Sequence, residues 1–254
     1  MAAQSPARAD QNDSTAQSRR AGRFARADEV DVASGNRPAR RFPRDEVDDR
    51  LTALLRGLPW PGGKAADAVK TLGLTGCCGG EGVSTLAARL SVRAAQLSAR
   101  EVLLVEANLA RPALARMFDL PAGPGLTDVL LDGCERAAAI RRTRLPRLAV
   151  LPAGEHAVLL DEVGDRSRLA ELVAACKDDF ELTIFDLPPA GEVVSAACLA
   201  GLLDGVVLVV EADQTRWEAA QRVTRQLTRA NARLLGAVLN RRRHRAKSWL
   251  ESGA

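Results

Sequence analysis

The sequence contains no tyrosine, and aromatic residues are confined to five phenylalanines and three tryptophans in 254 residues. No residue of the chain can therefore carry phosphotyrosine. There are two histidines, His156 and His244, without ligand-like spacing to each other or to a cysteine, so no metal-binding role is assigned to them. The five cysteines, Cys77, Cys78, Cys134, Cys176 and Cys198, form no CxxC motif, and their number is odd. That argues for free thiols in a reducing compartment. Cys134, Cys176 and Cys198 read as small buried apolar residues, and Cys77-Cys78 as small residues filling tight space. No apolar run is long enough to span a bilayer, and no secretory signal pattern is evident near the N-terminus. The expected location is cytoplasmic.

A body with a basic surplus is also missing. Residues 1–44 hold nine arginines and five acids, and the rest of the chain has 27 basic and 27 acidic residues. A neutral body gives little support for nucleic-acid binding. Residues 1–42, rich in Ala, Arg, Ser, Asp and Gln, read as a disordered tail. Residues 43–66 read as an N-terminal helix and linker, with Val47, Leu51, Leu54, Leu55 and Leu58 on one helical face. Residues 67–241 form the main domain, and 242–254 a basic C-terminal tail.

What the chain does have is a small-residue stretch between a strand pattern and a helix pattern. It runs Thr75-Gly76-Cys77-Cys78-Gly79-Gly80-Glu81-Gly82-Val83-Ser84-Thr85. Strand, glycine-rich turn and helix are the context of a phosphate-binding loop: the backbone N–H groups turn inward and the helix N-terminus adds partial positive charge. Gly79, Gly80, Glu81, Gly82, Val83, Ser84 and Thr85 are the candidate nucleotide-binding residues. Ser84 or Thr85 is the candidate magnesium ligand of the loop. The position between Gly82 and Ser84 that should hold lysine holds Val83, so the loop lacks its main fixed cation.

Beyond the loop, apolar strands alternate with helices. Strands are expected at 102–105, 148–151, 182–185, 205–210 and 234–239, with a helix capped by Thr215 running to about Arg229. This predicts an α/β fold with a doubly wound, mostly parallel sheet covered on both faces. Ligands in such sheets bind at the strands' C-terminal ends, where Glu106, Asp186, Glu211 and Asn240 fall.

The order of short motifs resembles the bacterial capsule and exopolysaccharide tyrosine autokinases, deviant-Walker P-loop ATPases related to the partitioning and division-site group. The matching text is Gly80-Glu81-Gly82-x-Ser84-Thr85, Arg111-Pro112, Gly123 to Leu130, Leu151-Pro152-Ala153-Gly154, Asp186-x-Pro188-Pro189 and Gly236 to Asn240. The resemblance implies ATP or ADP with magnesium, held by Ser84 and Asp186, and places Asn240 near the adenine. Asp186 and Glu106 are the catalytic candidates. It also implies a partner, either the cytoplasmic segment of a membrane chain-length regulator or an active kinase paralogue, through which the chain would lie peripheral to the membrane.

The departures fall on the chemistry. Val83 replaces the lysine, Glu106-Ala107-Asn108-Leu109-Ala110 replaces Asp-x-Asp-x-Arg, and the tyrosine cluster is missing. The extra methylene of Glu106 displaces its carboxyl group from an aspartate's position, which counts against a base role. The expected function is a degenerate regulatory or scaffolding subunit in exopolysaccharide or capsule biosynthesis, with nucleotide binding weak or lost. The alternatives are an active kinase or ATPase of the same pathway, with Lys64 or Lys70 as substitute cation, and a partitioning-type ATPase that binds DNA or membrane.

Overall fold

The fold is that of a computed structural model, which describes residues 44–58, 68–156, 158, 160–162 and 166–241; for 44–47 the backbone alone is described. The expected tail at 1–42, most of the linker and the basic tail at 242–254 lie outside the described residues.

The elements in order are α1 (Arg44–Gly57), β1 (Thr71–Gly76), α2 (Val83–Leu97), β2 (Val102–Glu106), α3 (Leu114–Met117), α4 (Leu126–Leu131), α5 (Arg136–Ala139) and β3 (Arg141–Arg142). Then come β4 (Leu148–Leu151), α6 (Arg166–Asp179), β5 (Leu182–Asp186), α7 (Val194–Ala200), β6 (Gly205–Glu211), α8 (Trp217–Arg229) and β7 (Leu234–Asn240). The seven strands lie in the order β3-β4-β2-β5-β1-β6-β7. All pairings are parallel except β3 with β4.

Alternation along each strand sends neighbouring side chains to opposite faces, and two cores result. Leu103, Val105, Phe185 and Leu208 join Leu172, Leu199 and Leu227 on one face. Leu72, Leu74, Leu104, Ile184 and Val207 join Leu86 and Leu90 of α2 on the other. Leu51, Leu54 and Leu55 of α1 close over that second core and are all buried. The two-sided burial explains why β2 reads as an unbroken apolar run through Val105, and why β5 is buried throughout although Thr183 interrupts its apolar run.

Three expectations need correction. The sequence pattern gives no sign of β3, because Arg141 and Arg142 carry no apolar signal; the strand exists through its ladder with Ala149 and Val150 at the sheet edge. Thr215 does not cap α8. The residue before the helix is Arg216, with no side-chain cap, and the Thr215 hydroxyl is donated elsewhere. Of Cys134, Cys176 and Cys198, Cys176 alone is buried. Cys77 is buried and its neighbour Cys78 is exposed. Among the described residues no helix is long and apolar enough to cross a membrane.

Candidate functional site

The C-terminal ends of β1, β2, β5, β6 and β7 meet at one edge of the molecule. Register places Glu106 beside Asp186, Asp186 beside Leu74, and Glu211 beside Asn240. The loop between β1 and α2 crosses this edge. Gly80 and Gly82 adopt φ of 100° and 83°, a region that side chains with a Cβ rarely enter. The first turn of α2 has no side-chain cap, so its N–H groups are left for a ligand or solvent.

The loop is held from below by its own glutamate. Glu81 Oε2 accepts from Cys77 N (2.6 Å) and Cys78 N (3.1 Å), and Thr215 donates to Oε1 at 2.6 Å. This is where the Thr215 hydroxyl goes, tying the loop to the start of α8. The Glu81 carboxylate is thus part of the loop's foundation, and contact with a ligand would come through its backbone. From outside, Glu192 accepts from Gly79 N at 3.0 Å. Asn240 is also spent on the loop: its Nδ2 donates to Glu81 O at 2.9 Å, and its Oδ1 accepts from Arg241 N at 3.0 Å. Val83 is buried at the margin of the second core and brings no cation to the loop.

The two carboxylates at the strand ends have opposite fates. Asp186 is fully buried, and neither of its oxygens has a hydrogen-bond partner among the described residues. Burial pushes its pKa up to about 7; the Ser84 hydroxyl lies close enough to pull it down without meeting hydrogen-bond geometry, and Glu106 pushes it further up. A buried carboxylate left without donors is costly unless something positive completes it. Asp186 and Ser84 therefore fit a hard divalent cation such as magnesium, which takes oxygen ligands.

Glu106 is equally buried but fully engaged. Its Oε1 accepts from Ala113 N and from Leu114 N (2.7 Å), and its Oε2 from Ala153 N (3.1 Å). The extra methylene carries the carboxylate across to the start of α3 and to the Leu151-Pro152-Ala153-Gly154 turn. There it ties three segments together. The motif residues around it are clasped likewise, with Leu126 N bonded to Pro152 O (2.7 Å) and Thr127 N to Ala153 O (2.9 Å).

Loop, strand ends and motif clasp have the arrangement of a P-loop fold, and comparison with known proteins gives the same fold. A family model described as cellulose biosynthesis protein BcsQ matches residues 69–241. The chain belongs to this family of P-loop proteins. Among its relatives is the tyrosine-protein kinase YwqD of Bacillus subtilis (strain 168), 34% identical over 172 residues, which are 68% of this chain and 72% of the relative. The solved VpsO kinase domain superposes with a TM-score of 0.68 at 28% identity, covering 78% of this chain and 94% of that one. The septum site-determining protein MinD of Pyrococcus horikoshii OT3, solved with Mg-ADP, gives a TM-score of 0.58 at 25% identity over 67% of this chain and 70% of that one.

Of the candidate substitute cations, Lys70 sits at the wrong end of the sheet. Its Nζ donates to Lys177 O at 3.2 Å, within a network in which Asp204 accepts from the Lys70 and Thr71 backbones and pairs with Lys177 at 2.6 Å. Lys64 lies outside the described residues. Two arrangements were not visible in the sequence. Arg111 lays its guanidinium against Gly79, where a Cβ would overlap Nη1. His156 bonds Asp132 at 2.6 Å and lies 3.5 Å from Asp128, so three groups that could ligate a metal come within 4.8 Å. The Asp132 hydrogen bond raises the His156 pKa. No spacing rule finds this trio, because the turn after β4 brings His156 back over α4.

Proposed function

We propose that this member of the BcsQ family is a regulatory or scaffolding subunit of polysaccharide assembly that keeps a magnesium–nucleotide site and has lost tyrosine-kinase chemistry. One contrast carries the reading: at adjacent strand ends Asp186 is left open toward Ser84, whereas the carboxylate of Glu106 is consumed by three backbone N–H groups. The uncapped first turn of α2 would bind the phosphates, and Ser84 and Asp186 would hold the ion. When bound, magnesium would supply charge neutralisation across the phosphates. A group placed to take a proton from an attacking hydroxyl is missing from this reading, since Glu106 is engaged and Asn108 and Ala110 lack carboxylates. From the family resemblance, the partner would be the cytoplasmic segment of a membrane chain-length regulator or an active kinase paralogue.

The orphaned Asp186 favours a second reading, a working ATPase. One experiment separates the two. The protein is incubated with Mg-ATP and a tyrosine-bearing tail from a related kinase, and both phosphate release and phosphotyrosine are measured. Neither should rise above background in the wild type or in Val83→Lys, although Val83→Lys should bind nucleotide more tightly. Turnover in the wild type that disappears in Asp186→Ala would replace the scaffold reading with the enzyme reading.

A further inference from the structure

The site just described has an unmet requirement. Phosphates carry charge that loop N–H groups offset only in part, and Val83 offers no cation. Positive charge at this edge must come from another element. Arg241 is already paired with Glu211 at 3.2 Å. Lys70 is at the opposite end of β1. Arg222 of α8 is near enough to lower the pKa of Cys77 and Cys78, though burial and acidic neighbours outweigh it and both thiols remain raised.

Arg111 is placed differently. Its guanidinium lies against the loop: a Cβ built on Gly79 would overlap Nη1 and stand 3.2 Å from Cζ, and the flexible arginine would have to move aside. Among the described residues no carboxylate pairs with it, and the residue is exposed. Its backbone is anchored: Arg111 N donates to Asn108 O at 3.2 Å, Pro112 follows, and the next two N–H groups, of Ala113 and Leu114, are gripped by Glu106. The carboxylate withdrawn from chemistry therefore holds the segment that carries the arginine.

We propose that Arg111 is the cation of the nucleotide site, supplied across the loop from the β2–α3 connection in place of a loop lysine, and that it binds the terminal phosphates of a nucleoside di- or triphosphate. The inference rests on the nucleotide-site reading above. A guanidinium suits the task because it is always charged and presents paired N–H donors that match two phosphate oxygens. A larger residue at Gly79 would displace the guanidinium from this position.

The test is calorimetry of Mg-ADP and Mg-ATP on the full chain. Arg111→Ala should weaken both about ten- to a hundredfold, the loss of one charge-assisted contact. Arg111→Lys should recover part of that, keeping charge without the fork. Arg222→Ala should stay within about twofold of wild type, a difference well under one charged contact. Adding Val83→Lys to Arg111→Ala should restore binding, because a loop cation makes the arginine redundant. Since Arg111 is exposed, its replacement should leave the melting temperature unchanged. Arg111→Ala with wild-type affinity would overturn this inference and leave the nucleotide site standing. A wild-type chain that binds neither nucleotide would overturn both.

Discussion

Removing the Glu106 carboxylate tests how much stability the clasp at the end of β2 contributes. It accepts three backbone N–H groups from two other segments, Ala113 and Leu114 on one side and Ala153 on the other. A hydrogen bond to a charged group contributes about 1.5–3 kcal/mol, so three taken independently would give about 5–9 kcal/mol. That sum overshoots, because Ala113 is only half-buried and water can replace the carboxylate at the α3 end. The Ala153 N–H has no such access and keeps its full desolvation cost. We expect Glu106→Ala to lose about 3–4 kcal/mol, and Glu106→Gln, which retains one acceptor oxygen, about 1–2 kcal/mol. Glu106→Asp withdraws the group by about 1.5 Å, a bond length; it should cost about 2–3 kcal/mol. Urea denaturation followed by circular dichroism at 222 nm is the suitable assay, since Trp217 is 67% exposed and a poor reporter of core packing. An unchanged slope with a shifted midpoint is the expected form. Glu106→Ala within about 1 kcal/mol of wild type would show that water satisfies all three N–H groups and that the clasp is incidental. The order Asp less stable than Gln also matters, because reversal would mean that charge rather than reach is what the site requires.

Asp186 should behave in the opposite sense. Its pKa is about 7 in the folded chain, above the ordinary 3.8, so its contribution is complete below pH 3.8 and is lost as pH rises through 7, about 4 kcal/mol in total. Asp186→Asn should therefore raise the urea midpoint at pH 8 and make little difference at pH 4, while abolishing magnesium-dependent nucleotide binding; a variant less stable than wild type at pH 8 would refute the argument. The vicinal thiols should also separate. Burial first, then Glu81, pushes Cys77 up to about 12, and Cys78, although raised, is exposed. Iodoacetamide at pH 8 should label Cys78 and spare Cys77 in the native chain, as peptide mass spectrometry would show; equal labelling would mean that the loop opens readily.

The layered α/β plan, and the meeting of strand ends that forms the candidate site, were legible in the chain because their causes are local. Unbroken apolar runs such as Val102–Val105 and Gly205–Val210 demand burial on both faces, and small residues between a strand and a helix make a loop whatever surrounds them. Asp186 could be placed at a strand's end by counting. The use of each polar group could not be read this way, because hydrogen-bond partners are chosen by topology. Glu106 meets Ala153, Thr215 meets Glu81, and His156 meets Asp132 only after strands distant in sequence have been laid side by side. So a residue that looks like a displaced base is a clasp, a residue that looks like a helix cap supports the loop, and the arginine that lies against the loop comes from a connection that the loop's own sequence does not mention. A sequence states which groups exist and which segments must be buried. Whether a carboxylate is left open or spent depends on which donors come within about 3 Å of it, and that distance is set by the tertiary structure alone.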